Sequence, residues 1–289
     1  MPDREPPLPA LTVPQLSYLV AVSTSSTFAE AAASLGVTTS ALSQGLAELE
    51  RRIGIDLFER VGRRQVLRPE AVEVLDYARR VVADTADLAR WAALARSGAT
   101  GRLRVGMIDA AAVVHVPGRL RAFRRSNPEV DLRLQVAPSG TLLDQLRRGA
   151  LDLAVVVEPS DAAGLDLDPL LEEPLVVVAP EGGPVGGPDG WGPWVLFPEG
   201  SHTRALVERE LRARGAVVEV VAESHQPEVL REMARLGVGW TVLPEAQAGR
   251  RRRDAASPPV LTTRRLVVAR RSGRVEHPVA DRFVAALTG

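Results

Sequence analysis

One short stretch of small polar side chains is the part of the sequence best suited to recognising another molecule. At helical spacing, Leu42, Leu46 and Leu49 form an apolar side, and hydroxyl and amide groups occupy the opposite side. That polar side carries Thr38, Thr39, Ser40, Ser43 and Gln44. Such a face can enter the major groove of DNA and hydrogen-bond base edges or phosphates. The alternative is an ordinary helical hairpin with a polar surface.

The residues around this stretch predict two short helices joined by a tight turn. Thr27 and Glu30 have the spacing of a capping box, so a helix begins after Thr27. Gly36 closes that helix, because glycine adopts positive φ at little cost. Thr38 then caps the second helix. This arrangement is a helix-turn-helix. Thr27, at the start of its first helix, is a further candidate DNA contact.

A basic segment follows the second helix. Between residues 51 and 68, six arginines stand against Asp56 and Glu59, which gives a local charge of +4. Gly62 predicts a turn between two short extended pieces, which together form a wing. The arginines expected near phosphates are Arg60, Arg63, Arg64 and Arg68. A solvated face without a partner is the alternative for this segment.

A long helix is expected after the wing, with Pro69 in its first turn and its end near residue 96. A seam with alternating spacings of four and three runs along it through Val74, Ala78, Val81, Thr85, Leu88 and Ala92. The seam favours pairing with the same helix of a second subunit, and packing against its own chain is the alternative. Residues 97–101 then form a glycine-containing hinge.

From residue 102 the pattern changes to strands that alternate with helices. Strands are predicted at residues 103–108, 130–136, 151–157, 175–179, 194–197, 216–222, 240–243 and 266–269. Helices are predicted at residues 113–125, 141–148, 203–214, 227–236 and 278–287. Alternation of this kind indicates parallel sheets covered on both faces, and the length suits two small α/β lobes. A ligand of such lobes is expected beyond the carboxyl ends of the strands.

The composition excludes several classes of protein. The chain has 289 residues, which is enough for about two domains, and its net charge of zero indicates no particular partner. Because there is no cysteine, a disulfide and a thiol nucleophile are both excluded. No phosphate or dinucleotide glycine fingerprint and no nucleophile elbow occurs. We therefore expect no enzyme and no cofactor, and the spacing of the four histidines suggests no metal site.

The sequence also lacks an obvious export or membrane signal. Residues 1–9 are charged and rich in proline, without an apolar core of the kind that a secretory signal needs. No uncharged apolar stretch reaches the length of a transmembrane helix. These features predict a cytoplasmic protein.

Residues 26–43 and 49–60 resemble the winged helix-turn-helix of the LysR-type transcriptional regulators. Further similar segments at residues 101–106, 149–154 and 237–244 extend the resemblance to about residues 12–287. It implies a mainly α N-terminal winged helix-turn-helix with a long linker helix, followed by an α/β, two-lobed regulatory domain of the periplasmic-binding-protein type. The implied boundaries are 12–69 for the DNA-binding domain, 70–96 for the linker helix, 97–101 for the hinge and 102–289 for the regulatory domain.

The resemblance also implies a function and an assembly. The chain would be a sequence-specific regulator that binds double-stranded DNA and responds to a small molecule between its lobes. It would form a homodimer or a homotetramer, and RNA polymerase is a further candidate partner. Lobe one would comprise residues 102–158 and 266–289, lobe two residues 162–261, with crossings near residues 158–161 and 262–265. The alternatives are a cleft without a natural effector and an enzyme built on the same lobes.

Some positions depart from the family pattern. Gln44 stands where the family commonly has a basic residue, and Gly45 follows where a longer side chain is usual. Because glutamine can pair with adenine through two hydrogen bonds, the departure predicts an altered sequence preference. After the wing, residues 67–71 lack the usual threonine and glycine.

By resemblance, four loops line the effector cleft. Their candidate residues are Asp109, Ser139, Thr141, Ser201, His202, Thr203, Arg204, Ser224 and Gln226. Helix starts offer free backbone N–H groups, which favours a small carboxylate, and ordinary helix capping is the alternative role of these hydroxyls. Asp109 is unusual, since a carboxylate there would repel an anion. It favours an amine-bearing, zwitterionic or apolar effector.

Overall fold

The computed structural model describes residues 9–61, 64–97, 101–182, 186–249, 259–274 and 277–289. The chain divides into two compact units, an N-terminal and a C-terminal one, on either side of residue 97. Within the described ranges, no helix is both long and apolar enough to cross a lipid bilayer.

The described part of the N-terminal unit is a group of helices with a two-stranded hairpin. The helices are α1 (Val13–Thr24), α2 (Phe28–Ser34), α3 (Thr39–Ile53) and α4 (Val72–Ser97). The hairpin strands are β1 (Phe58–Val61) and β2 (Arg64–Leu67), and a turn of 3-10 helix at Pro69–Ala71 leads into α4. Its core contains Leu16, Leu19, Leu42, Leu46, Leu49, Leu57 and Leu75. The predicted winged helix-turn-helix is confirmed.

The helix caps lie where the sequence predicted them. The Thr27 hydroxyl accepts a hydrogen bond from the Glu30 backbone N–H at 3.1 Å, and Thr38 caps α3 in the same way through Ala41. The reciprocal bond of the first cap differs from the expected capping box. The Glu30 carboxylate accepts from the backbone N–H of Ser26 rather than from that of Thr27. Gly36 has φ of +67°, as its position after α2 requires.

Gly45 has a packing role that the sequence did not reveal. It lies inside α3, and a Cβ atom at this position would come within 2.5 Å of two ring carbons of Tyr18 on α1. Glycine therefore lets the aromatic ring lie directly against the backbone of α3. This contact explains a residue that otherwise weakens a helix by up to about 1 kcal/mol.

Gly45→Ala is therefore expected to lower the free energy of unfolding by about 1–3 kcal/mol, because the added methyl group overpacks the ring. Gly118→Ala is the matched control. Gly118 lies in a helix of the C-terminal unit (Pro117–Ser126), where an added Cβ would meet nothing within 4 Å. That variant is expected to be neutral or slightly stabilising. Thermal unfolding of the two full-length variants compares them, and destabilisation of both to the same extent would contradict the packing argument.

The predicted seam of α4 divides into two parts. Ala78 is fully buried, and Val74 and Val81 are half-buried against the core of the same unit. Farther along, Thr85 is exposed and Leu88 is 51% exposed. Packing against its own chain is thus correct for the first half of the helix. The second half retains an uncovered apolar side within this chain.

A six-stranded mixed sheet is the largest sheet of the described C-terminal unit. Its strand order is β4 (Asp131–Val136), β3 (Arg102–Met107), β5 (Leu153–Val157), β10 (Val260–Arg271), β6 (Leu165–Val178) and β9 (Thr241–Pro244). A second pair consists of β7 (Trp194–Leu196) and β8 (Val220–Glu223). The helices are α5 (Pro117–Ser126), α6 (Ser139–Arg147), α7 (His202–Ala213), α8 (Pro227–Arg235) and α9 (Pro278–Thr288). A turn of π-helix, Ala111–His115, precedes α5.

Two strands are much longer than expected, because β6 and β10 extend the predicted strands at 175–179 and 266–269 toward their N-termini. This part of β6 contains Pro169 and Pro174, and proline cannot donate to a strand ladder. Pro169 lies beside a bulge, and the strand pairs antiparallel with β10. Arginines of β10 face carboxylates of β6, which makes a charged segment stable as a strand.

These long strands also move the expected boundary between the lobes. Leu165, with Leu167 and Leu171 beside it, packs in the apolar cluster that contains Leu103 and Phe283. Leu175 belongs to a second cluster around Trp194. The first passage between lobes therefore lies within β6, later than the expected crossing at 158–161, and the start of lobe two at residue 162 is wrong. In β10 the passage lies between residues 261 and 266, as expected.

The Gly- and Pro-rich segment 180–193 contains two short turns of 3-10 helix, Pro180–Gly182 and Pro188–Gly190. Trp191 is only 7% exposed and packs edge-to-face on Trp194, with ring centroids 6.3 Å apart. Both tryptophans are therefore buried in lobe two.

Candidate nucleic-acid interface and effector cleft

The polar face of α3 is open to solvent. Thr38, Thr39, Ser40, Ser43 and Gln44 are all exposed, whereas Leu42, Leu46 and Leu49 on the opposite side are buried. The hydroxyl of Thr38 already accepts a hydrogen bond at the cap, but it keeps its own hydrogen for donation. Thr27 is also exposed, at the cap of α2. The first turns of α3 thus present short hydrogen-bonding groups to solvent, with the small side chain of Ala41 beside them.

Part of the basic segment is neutralised within the chain. Glu48 accepts hydrogen bonds from both Arg51 and Arg52 at 2.6 Å, and these bonds lower the pKa of Glu48 to about 2. Arg68 lies 3.4 Å from Asp56 and 3.7 Å from Glu70. The local charge of +4 therefore overstates the positive charge that is free to attract phosphates.

The tip of the wing falls largely outside the described residues. Arg63 lies in that part, and the side chains of Arg60 and Arg64 are not described either. Their backbones belong to the antiparallel hairpin, in which Arg60 pairs with Gln65 and Val61 with Arg64. The hairpin therefore exists at the place where the sequence predicted phosphate contacts.

A cavity of about 630 Å³ lies in the C-terminal unit, between residues of the two lobes. Of the candidate residues, Asp109, Ser139, Ser201, Thr203 and Gln226 line it. His225, in the same loop as Gln226, lines it as well, and sequence reasoning missed four other lining residues, namely Phe197, Glu228, Gln247 and Arg264. Ile108, Val136 and Val157 add apolar wall. The cavity has the size of an ordinary small-molecule site.

The remaining candidates lie elsewhere. Thr141 is exposed, because α6 begins at Ser139 and turns the threonine away from the cavity lining. His202 lines a different cavity of about 430 Å³. Ser224 accepts a hydrogen bond from the Gln226 backbone and does not line the cavity.

The expected role of Arg204 as a charge for the effector is corrected. Its guanidinium is held by the Phe197 carbonyl at 2.7 Å, by Glu223 at 3.1 Å and by Glu208. Desolvation acts to raise the pKa of Glu208, but the hydrogen bonds from Arg204 and Arg212 outweigh it and lower this pKa. Arg204 is thus a buried structural residue of α7, with its charge compensated inside lobe two.

A buried charged pair lies beside the cavity, at the place where β6 and β10 pass between the lobes. Glu173 and Arg264 are opposite each other in the strand register, with 2.6 Å between Oε2 and Nη2. The His115 ring approaches Oε1 of Glu173 at 2.6 Å, and Arg264 donates to the Thr203 hydroxyl at 2.7 Å. Burial lowers the pKa of Arg264, and Glu173 opposes that shift. These contacts join residues from both lobes.

Asp109 lies just after β3 and receives a hydrogen bond from Nε2 of Gln247 at 2.9 Å. Ser139 accepts a hydrogen bond from the Val157 backbone at 3.1 Å. Within the described ranges, no group of three His, Asp or Glu residues is arranged to hold a metal ion. The cavity is thus bordered by oxygen acceptors, hydroxyls and apolar walls.

Two family models match the chain. One, described as the LysR substrate binding domain, covers residues 96–289. The other, described as a bacterial regulatory helix-turn-helix protein of the lysR family, covers residues 13–71. Together they account for both structural units.

Curated relatives include regulators of transcription. A "Probable hydrogen peroxide-inducible genes activator" of Mycobacterium xenopi is 36% identical over 176 residues, which cover 61% of this chain and 93% of that protein. A "RuBisCO operon transcriptional regulator" of Allochromatium vinosum is 27% identical over 237 residues, covering 79% of this chain and 78% of that protein. The relatives are regulators, not enzymes.

Solved structures show the same fold. A full-length OxyR variant from Pseudomonas aeruginosa superimposes with a TM-score of 0.63 at 24% identity, covering 96% of this chain and 93% of that one. Full-length CbnR complexed with its target DNA superimposes with a TM-score of 0.58 at 20% identity, covering 96% of this chain and 99% of that one. With both family models matched and this fold shared over nearly the whole chain, the protein belongs to the LysR family of DNA-binding transcriptional regulators with an effector-binding domain.

Proposed function

We propose that α3 reads an operator through Thr39, Ser40, Ser43 and Gln44, with Thr27 and Thr38 at the helix starts near the DNA backbone. The supporting observation is the exposed polar face of α3, whose three leucines are turned into the core. Gln44 is the residue with two adjacent hydrogen-bonding groups, so it carries base readout. Arg60, Arg63, Arg64 and Arg68 of the wing supply phosphate contacts. A protein that binds an operator acts where the DNA is, so this proposal implies a cytoplasmic protein. Contact with RNA polymerase is a further prediction from the resemblance.

We further propose that a small molecule bound in the 630 Å³ cavity controls DNA binding. The cavity is lined from both lobes, for example by Asp109 and Thr203, and the two connecting strands pass beside it. A ligand that contacts both lobes stabilises one arrangement of them. By linkage, it shifts DNA affinity only if it binds the competing arrangements unequally.

Selection from sheared genomic DNA tests both parts of the proposal. The purified full-length chain is expected to retain a small set of fragments that share a two-fold symmetric sequence. Gln226→Trp would fill the cavity from an exposed lining position, and Val217→Trp is the control at a 74% exposed residue away from the lining. A cell extract that changes retention by the native chain should not change retention by Gln226→Trp. Equal responses of the two proteins would exclude this cavity as the effector site.

Some of the relatives are named after hydrogen peroxide. This chain cannot sense peroxide by thiol chemistry, because it contains no cysteine. We expect micromolar hydrogen peroxide to leave the affinity for selected DNA unchanged. Fluorescence anisotropy with and without peroxide measures this, and mass spectrometry controls for methionine oxidation. Met107, which is 1% exposed, is expected to stay reduced in the folded protein. A peroxide-dependent change in affinity without methionine oxidation would contradict the expectation.

We propose that the second half of α4 pairs with a second copy of the chain. Leu88 is 51% exposed and Trp91 is 48% exposed, so apolar area remains uncovered within one chain. Leu88→Glu is expected to shift the protein from dimer toward monomer by about tenfold or more in dissociation constant, because the charge would be buried in the interface. Ala93→Glu, at an exposed position off the seam, is the control. Light scattering reports the mass, and an unchanged dimer in Leu88→Glu would contradict the assignment.

A further inference from the structure

We propose that the effector carries a protonated amine on an apolar body, and that Asp109 and Gln247 bind its ammonium group. This inference rests on the proposed function of the cavity and goes further, because it names the charge and the hydrogen-bonding character of the ligand. Among the amine-bearing, zwitterionic and apolar effectors that Asp109 favoured in the sequence, it selects the first, against the carboxylate that the helix starts suggested. Three independent features of the cavity support it.

The first feature is the balance of charge around the cavity. Asp109 and Glu228 both line it, and neither has an ion-pair partner among the described residues. The basic residues of the lining are Arg264 and His225, and Arg264 forms a buried pair with Glu173 at 2.6 Å. Its charge is therefore compensated inside the protein. A carboxylate ligand would enter beside two negative charges that no described residue compensates, whereas an ammonium would be attracted by them.

The second feature is the orientation of Gln247. A carboxylate can only accept hydrogen bonds, so the amide nitrogen of Gln247 must be the atom that faces Asp109. The amide atom of Gln247 that does not face Asp109 is therefore the carbonyl oxygen, Oε1. Gln247 is 7% exposed, and its buried Oε1 has no hydrogen-bond partner among the described residues. An unsatisfied acceptor of this kind calls for a donor. Gln247 lines the cavity, but less than 1 Å² of Oε1 is exposed, so a donor on the ligand reaches this atom only when the side chain rotates toward the cavity.

The third feature is the kind of group that satisfies both residues together. Asp109 has a second carboxylate oxygen to offer, and Gln247 has a free carbonyl oxygen. Both are acceptors, and a primary ammonium is a compact cation with three donors. The hydroxyls of Ser139, Ser201 and Thr203 can donate or accept and do not discriminate between classes. Phe197, Ile108 and Val136 provide apolar wall for the rest of the molecule.

The test compares matched ligands that differ in charge. Calorimetry and thermal shift are run on the full-length chain with 2-phenylethylamine, 3-phenylpropanoate and 2-phenylethanol, and then with alkyl amines of increasing length and their carboxylate counterparts. We expect the best amine to bind at least about tenfold more tightly than its carboxylate and alcohol counterparts. Asp109→Asn is expected to weaken the binding of that amine by about tenfold or more, because its hydrogen bond to a charged carboxylate becomes a bond to a neutral amide. Asp189→Asn, which makes the same change at an exposed residue away from the cavity, is expected to bind like the native chain.

The possible failures are distinguishable. If carboxylates or alcohols bind better than the amines, and Gln226→Trp blocks them, the cavity is an effector site but the ammonium assignment is overturned. If amines bind equally to the native chain and to Asp109→Asn, the role of Asp109 is overturned. If no compound of any class binds, and Gln226→Trp responds to cell extract like the native chain, the ammonium assignment and the proposed effector site both fail.

Discussion

Replacing Glu173 with glutamine is expected to lower the free energy of unfolding by about 3–5 kcal/mol. Glu173 is 2% exposed and Arg264 is 5% exposed, so the pair is fully enclosed. Removing the negative charge leaves the guanidinium buried without compensation, and the contact with His115 changes as well. The expected loss is a large part of the stability of an ordinary domain.

The neighbouring residue provides a matched control. Glu172 and Arg265 lie next to this pair on the same two strands, but they are 66% and 53% exposed and their nearest atoms are 3.4 Å apart. Glu172→Gln is therefore expected to cost no more than about 1 kcal/mol. Urea unfolding followed by tryptophan fluorescence measures both variants. Similar losses in Glu173→Gln and Glu172→Gln would contradict the larger cost expected for breaking the enclosed pair.

A double variant separates the cost of an unpaired charge from the worth of the pair. Glu173→Met combined with Arg264→Met removes both charges and keeps side chains of considerable volume. Buried pairs replaced in this way are often neutral in stability or even more stable. We expect the double variant to recover most of the loss seen in Glu173→Gln. A loss as large as that of the single variant would mean that the network with His115 and Thr203 contributes beyond the charge balance.

Gln44→Ala is expected to weaken binding to the selected operator by about 5- to 150-fold, which corresponds to about 1–3 kcal/mol for a bidentate contact to a base. Binding to unrelated DNA should remain unchanged, because phosphate contacts dominate non-specific affinity. Gln135→Ala makes the same change at an exposed residue of β4 and serves as the control. Anisotropy titrations on operator and scrambled duplexes measure the two affinities. An equal loss on both duplexes would remove Gln44 from base readout.

The N-terminal unit was predictable because its signals are local. The Thr27 and Thr38 caps and the turn at Gly36 each depend on residues within four positions in the sequence. The apolar period of α3 then determined which side faces solvent. The role of Gly45 was not predictable, because the residue that requires a glycine here is Tyr18 on another helix, and no local pattern reports that contact.

The cavity was only partly predictable because its missing residues are remote in sequence. Asp109, Ser139 and Ser201 follow strands or begin helices, and that position is visible in the sequence. Gln247 and Arg264 instead reach the cavity through tertiary contacts. Arg264 pairs with Glu173 across 91 positions, and the two residues meet only because β10 lies beside β6. Arg204 looked free because Phe197 and Glu223 approach it from other parts of the fold, although its third partner, Glu208, lies one turn further along α7.

The central claim is that this protein recognises a specific DNA sequence through α3. A nuclease footprint of the full-length protein on the fragment recovered from genomic DNA tests it most directly. We predict a sharply bounded, roughly two-fold symmetric protected site that persists at about 150 mM salt, and that disappears for Gln44→Ala at the same protein concentration. Protection without boundaries that fades as salt rises, or a footprint unchanged by Gln44→Ala, would contradict the claim.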